Sequence, residues 1–157
     1  MTQLKVGDYA PDFVLNDEAG MKHSLAAYQG QPVILYFYPK DDTPGCTTEA
    51  CNFRDDYSAY EDADVVILGV SADDEASHLK FKEKFDLPFS LLADTNKEVV
   101  NKYGVWGKKS MYGKEFEGIH RTTFLIDAEG KIARIFEKVK PSTHSEELLN
   151  EIEKLGL

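Results

Sequence analysis

Two uninterrupted apolar runs constrain this chain more than anything else in it: VILYFY at 33–38 and VVILGV at 65–70. A strand with one face in water alternates apolar and polar residues, and these runs do not alternate. Each therefore predicts a strand covered on both faces, as in the middle of a sheet with helices above and below. The segments around them have helical spacing. After the turn TPG, apolar Ala50, Phe53 and Tyr57 predict a helix that runs to about Tyr60. After the second run, DDEASHLKFKEKF predicts an amphipathic helix with Leu79, Phe81 and Phe85 on its inner face. FSLLAD reads as a short strand, and TNKEVVNKYG as a helix with a capping-box pattern at Thr95 and Glu98 and a stop at Gly104. TTFLID and KIARIFE, joined by AEG, predict a hairpin. In STHSEELLNEIEKLG, Thr143 and Glu146 can box a helix start, and Gly156 can end it. Near the N-terminus, FVLN and MKHSL flank DEAG as a further hairpin. Together these elements predict an α/β chain: a mixed central sheet flanked by helices, with an N-terminal β-hairpin.

The order βαβ followed by ββα matches the thioredoxin-like arrangement, which by itself settles no chemistry. With 157 residues, no internal repeat and no linker, residues 1–157 are expected to form one domain. Asp and Glu number 28 against 18 Lys and Arg, a formal charge of −10. That surface would repel phosphate backbones and anionic lipid, so nucleic acid and membrane partners are not expected. The run at 33–38 is too short to cross a bilayer, and MTQLKVGDYAPDF lacks the apolar core of a secretion signal. The expected location is cytoplasmic, where two cysteines serve chemistry or packing rather than a structural crosslink. The four histidines, at 23, 78, 120 and 144, show no ligand spacing, and there is no CxxC. No metal is expected. Without GxGxxG after a strand, and without a phosphate-binding loop, no cofactor is expected either. Trp106, the only tryptophan, reads as core or rim packing.

Both cysteines fall in YPKDDTPGCTTEAC, residues 38–51. With Thr43 as N-cap, Pro44 occupies the first helical position, where its fixed φ suits a helix start and its missing N–H loses nothing. Cys46 is then the third helical residue, where the Glu or Gln that would close a capping box is absent. Its sulfur lies in the positive end of the helix dipole, which favours thiolate. A glycine–proline turn at a strand–helix junction makes a poor core and a good site.

This stretch resembles the active-site segment of the peroxiredoxins, whose pattern is Pro, three residues, Thr or Ser, two residues, Cys. Pro39, Thr43 and Cys46 match it position by position, and Cys51 five residues on is similar to the bacterioferritin-comigratory, or Q-type, subfamily. GDYAPDFVL, GVSAD and RTTFLID extend the likeness over essentially the whole chain, and Arg121 matches the family's second active-site arginine. The resemblance implies a thioredoxin-dependent peroxidase that reduces hydrogen peroxide and organic hydroperoxides, works as a monomer, and takes its electrons from thioredoxin or a similar dithiol. Cys46 would attack the peroxide and Cys51 would resolve the product as an intramolecular disulfide. Thr43, the Cys46 N–H and Arg121 would steady the developing charge, Pro39 would wall the pocket from water, and Glu49 would anchor the arginine. A disulfide oxidoreductase on the same fold would need the missing CxxC, and a holdase or redox sensor would show no peroxide turnover.

Geometry adds a condition to the implied pairing. Residues five apart in an intact helix have Cα atoms about 8.7 Å apart, and a disulfide rarely spans more than about 7 Å. The helix carrying both thiols is therefore expected to unwind when they join.

Overall fold

The computed structural model describes residues 2–157. Its centre is a seven-stranded sheet in the order β2-β1-β5-β4-β3-β8-β9. The strands are β1 (Val14–Asn16), β2 (Lys22–Ser24), β3 (Val33–Phe37), β4 (Val66–Ser71), β5 (Ser90–Ala93), β8 (Thr122–Ile126) and β9 (Ile132–Phe136). The two apolar runs are the adjacent strands β3 and β4, paired in parallel from Val33↔Val66 to Phe37↔Val70. Strand β5 extends the parallel set, whereas β8 lies antiparallel on the other side of β3, from Val33↔Ile126 to Phe37↔Thr122. The predicted N-terminal hairpin forms one edge, and the predicted TTFLID–KIARIFE hairpin forms the other.

Helices cover both faces of the sheet, as the unbroken apolar runs require. Along β3, Val33, Leu35 and Phe37 enter one core with Val99 and Val100 of α4 (Glu98–Lys102) and Tyr103 just after it. Ile34 and Tyr36 face the other way, as does Tyr38 just beyond the strand. They enter a second core with Cys46, Ala50 and Phe53 of α1 (Pro44–Asp55), Phe81 of α3 (Glu75–Phe85), and Leu148 and Ile152 of α5 (His144–Leu155). The period-2 geometry of a strand thus sends alternate residues of one run into two separate cores.

Several local expectations are corrected. The helix after TPG breaks at Asp56 (φ −95°, ψ 7°), and a short α2 (Tyr57–Asp62) follows. Ser145 Oγ donates to the Asp56 carboxylate at 2.7 Å, which ties the break to α5. Neither expected capping box forms. Helix α4 starts after Lys97, which is left-handed at φ +60°, and its N–H groups at Val99 and Val100 donate to the Asp94 carboxylate instead. At α5, Thr143 makes no side-chain cap, and Glu147 pairs with His144. Gly156 does end that helix, at φ +70°. In α3 the buried face carries His78 and Phe81, whereas Leu79 is 42% exposed, because the helix is rotated so that His78 meets polar partners from neighbouring elements.

One element was not expected: a second, two-stranded sheet of β6 (Trp106–Met111) and β7 (Lys114–Ile119). Its turn is Tyr112-Gly113, with φ of +54° and +76°. Both central residues left-handed is the two-residue turn whose twist matches a hairpin, and Gly113 carries it without strain.

Candidate active site

The site forms where β3 ends and α1 begins. Tyr38 N–H donates to Val70 carbonyl at 3.1 Å, and beyond it the chain leaves the sheet. Pro39, half-buried, starts the turn. Asp42 is left-handed at φ +56°, and Thr43 is extended (φ −102°, ψ 157°) as the N-cap, with Pro44 at the head of the helix. The first amide bonded into the helix is that of Thr47, to Thr43 carbonyl at 2.8 Å. The amides of Gly45 and Cys46 precede it, at the positive end of α1.

Cys46 is 2% exposed, with its sulfur turned into the core on the α1 side of the sheet. Arg121, immediately before β8, reaches it from the neighbouring strand: Nη2 donates to Sγ at 3.3 Å, and Nη1 donates to Glu49 Oε1 at 2.8 Å. Glu49 lies one helical turn after Cys46 and is 1% exposed. One planar guanidinium therefore bridges the sulfur and the carboxylate, a fork that lysine cannot reproduce. Burial pushes Glu49 up to about 7, although Arg121 pulls it back down. Its second oxygen, Oε2, is buried without a hydrogen-bond partner, as is Tyr36 Oη beneath α1. On Arg121, burial opposes the charge, but Glu49 and Cys46 outweigh it and raise the arginine above its ordinary value.

The remaining residues singled out from the sequence occupy varied places. Thr43 Oγ1 donates to Lys40 carbonyl at 2.8 Å, closing the turn, and makes no hydrogen bond to Cys46. Cys51 is half-buried on the same unbroken helix, and both cysteines are free thiols. The neighbouring Asn52 donates to the carbonyls of Pro141 and Ser142, each at 3.1 Å. Trp106 is half-buried against the core on the α4 side, with its indole N–H on Glu117 and Lys97 Nζ 5.2 Å from its ring.

Sequence reasoning did not single out three features of the site. Gly45 is one: a Cβ there would meet Arg121 Nη2 at 3.0 Å. The absence of a side chain next to Cys46 is what admits the guanidinium, and the sequence signal was the glycine in the turn. Lys109, on the unforeseen hairpin, is another. Its ammonium donates to Ile119 carbonyl at 2.9 Å, and its stem lies over Gly118, where a Cβ would meet it at 3.2 Å. Burial lowers its basicity and the Arg121 charge lowers it further, whereas the Cys46 sulfur raises it. The third is a buried network around Asp41 and His78, behind the turn. Among the described residues, no helix is long and apolar enough to cross a membrane.

A model of the AhpC/TSA family matches residues 6–135. The chain is 45% identical over 153 residues to Peroxiredoxin Bcp of Bacillus subtilis, with 98% of each chain covered. It is 47% identical over 150 residues to Peroxiredoxin Bcp of Escherichia coli K12, with 96% of each covered. Among solved structures, a cysteine-to-serine mutant of Xylella fastidiosa PrxQ superposes with a TM-score of 0.94 at 32% identity, over 100% of both chains. Similarity of this extent, in sequence and in fold, places the chain in the AhpC/TSA family, as a peroxiredoxin: a peroxidase and oxidoreductase on a thioredoxin-like fold.

Proposed function

We propose that the chain reduces hydrogen peroxide and organic hydroperoxides through Cys46, resolves the product with Cys51 inside the same chain, and is returned to the dithiol by thioredoxin or a similar small dithiol protein. The observation that carries this reading is the 3.3 Å contact between Arg121 Nη2 and Cys46 Sγ at the start of α1. In the first step the Cys46 thiolate attacks one oxygen of ROOH. The S–O bond forms as the O–O bond breaks, giving Cys46 sulfenic acid and RO⁻, which takes a proton to leave as ROH or water. Negative charge spreads over sulfur and both oxygens during this step. An arginine already bonded to the sulfur, and held from behind by Glu49, meets that charge without rearranging. The Cys46 amide supplies a second donor from the head of the helix. Thr43 acts by closing the turn, because its proton is engaged with Lys40 carbonyl. Pro39 shields the turn on the strand side.

In the second step the Cys51 thiolate attacks the sulfenic sulfur: the S–S bond forms as the S–O bond breaks, and the departing hydroxide takes a proton to leave as water. Intact α1 holds the two Cα atoms about 8.7 Å apart, so the TTEA segment between the cysteines must leave helical geometry. A short disulfide loop constrains few unfolded conformations, and the bond is readily exchanged by an incoming dithiol. Alkyl peroxide reduction is named for the bacterioferritin comigratory protein of Xanthomonas campestris, 34% identical with a TM-score of 0.89, which supports the organic hydroperoxide part.

Stopped-flow oxidation of the reduced protein, followed by mass spectrometry of the product, tests the reading. It expects one fast equivalent of peroxide consumed and a Cys46–Cys51 disulfide within one chain. A disulfide between chains, or a slow reaction like that of a free thiol, would contradict it.

A further inference from the structure

Behind the turn that leads to Cys46 lies a buried polar network that the reaction sequence does not use. His78 of α3 is fully buried, and its Nε2 faces the Leu92 carbonyl of β5 at 2.9 Å. A carbonyl only accepts, so Nε2 carries a proton. His78 Nδ1 lies 2.7 Å from Asp41 Oδ2. Ser77 Oγ donates to the same oxygen at 2.8 Å, and Tyr38 Oη donates to Oδ1 at 2.5 Å. An Asp41 carboxylate with three donors around it, and an imidazolium donating from both nitrogens, satisfies every one of these groups. The Asp41 amide then donates to Asp73 Oδ2 at 2.8 Å, and Ser71 Oγ holds that oxygen at 2.7 Å. Asp41, Asp73 and His78 are the one grouping among the described residues close enough to share a cation. Their facing atoms are already bonded to one another and to Tyr38, Ser71, Ser77 and Leu92, so the cluster reads as a fastening rather than a metal site.

What it fastens is the turn. Between the last ladder residue of β3 and the first turn of α1, Asp41 makes the buried tie to α3 and to the β4–α3 loop, beside an exposed ion pair of Asp42 with Lys84 of α3. From there to Cys46 the backbone is stiff: Asp42 is left-handed, Thr43 is closed onto Lys40, and Pro44 has a fixed φ. Arg121 reaches the site independently, from β8. The distance between guanidinium and sulfur thus depends on two separate anchors, the β3–β8 ladder and the Asp41–His78 pair.

We propose that Asp41 and His78 are positioning residues for the peroxidatic cysteine: their buried pair holds the head of α1 in register with Arg121, so that Cys46 meets peroxide in its reactive geometry and unwinding of α1 is confined to the segment beyond Cys46. This deepens the reading of Cys46 given above and rests on it. Misplacing a reacting group by about 1 Å can reduce a rate roughly a hundredfold, so loss of the anchor should appear in the oxidation step. Resolution by Cys51, which needs the helix open, should be unchanged or faster.

Two substitutions at one position separate anchoring from packing. In His78→Asn the side-chain amide can occupy the place of Nδ1 and still donate to Asp41. In His78→Gln it can occupy the place of Nε2 and serve Leu92 alone. Stopped-flow peroxide oxidation of the full chain should be within about threefold of wild type for His78→Asn, and slowed by about ten- to a hundredfold for His78→Gln and for Asp41→Asn. Amide exchange in the reduced slow variants should rise at residues 41–47 and stay unchanged in β3 and β4. Equal rates in all four proteins would overturn the proposal. Equal slowing in both His78 variants, with equal loss of protection throughout the sheet, would overturn it too, by reducing His78 to core packing. Failure of the underlying reading looks different, since wild type itself would then lack fast oxidation at Cys46.

Discussion

The two halves of α1 are held by different forces. At its head, Cys46 sits between Arg121, the turn closed by Thr43, and the polar anchor at Asp41, so position there is set by directional hydrogen bonds and charge. Past the middle, Phe53 is fully buried among rings, 4.9 Å from Tyr36, 5.9 Å from Tyr60 and 6.2 Å from Phe89. Non-directional packing holds that end, with Asn52 tied to the Pro141 and Ser142 carbonyls. Between them, Thr48 is exposed, and its hydroxyl donates back to Pro44 carbonyl at 3.0 Å, a bond that slightly weakens a helix. Thr47, half-buried, is likewise a poor helix former. In the cycle proposed above, α1 opens between these two ends and frees Cys51, and opening it also breaks the hold of Glu49 on Arg121.

Substitutions at the head should affect chemistry more than stability. Cys46→Ser should abolish peroxide consumption, because an alcohol is not ionised near neutral pH; retained turnover in a peroxide-consumption assay would assign the reaction to another group. Arg121→Lys should fold and lose roughly ten- to a thousandfold in the rate of Cys46 oxidation, since a single ammonium cannot span sulfur and Glu49. An unchanged stopped-flow rate would leave Arg121 a structural ion pair. Gly45→Ala sharpens the comparison further. The new Cβ pushes on the end of the Arg121 side chain at 3.0 Å rather than on backbone. Thermal stability should therefore shift by no more than about 1 kcal/mol, because alanine suits a helix better than glycine, while oxidation slows by about tenfold.

Glu49 is expected to act on stability rather than on rate. Its carboxyl is raised from 4.5 to about 7 in the folded chain, so the folded state binds its proton more tightly than the unfolded state does. Between those values the unfolded chain loses the proton first, and stability falls as pH rises, by up to about 3 kcal/mol from this group alone. Glu49→Gln should remove that part of the fall. Denaturant unfolding of both proteins at pH 5 and pH 8 reads the difference, and identical pH dependence would show that Glu49 stays ionised throughout.

How much of this was legible follows the same division. The strands at 33–37 and 66–71 were readable because burial on both faces leaves an unbroken apolar run, and Pro44 with Thr43 marked the start of α1. The β6–β7 hairpin was not readable by periodicity, because GKKSMYGKEFEG is polar on both faces, and Tyr-Gly is a weaker turn signal than Asn-Gly. Side-chain caps were poorly legible because several acceptors compete within a few residues, and Asp94 caps α4 in place of Thr95 by accepting from Val99 and Val100. The pairing of Arg121 with Glu49 and Cys46 joins residues 72 and 75 positions apart. Local pattern cannot supply such a contact, and only the family resemblance pointed to it. The Asp41–His78 anchor had no signal at all: a lone histidine on a helix looks like any surface residue until the fold closes over it.

The central claim is that one helix serves two states, wound for attack and unwound for resolution. Amide hydrogen exchange across residues 45–55, measured on the dithiol and on the peroxide-oxidised protein, tests it most directly. Protection should be high in the dithiol and fall sharply in the disulfide form, with β3 and β4 unchanged in both. Equal protection across residues 45–55 in the two redox states would contradict the account.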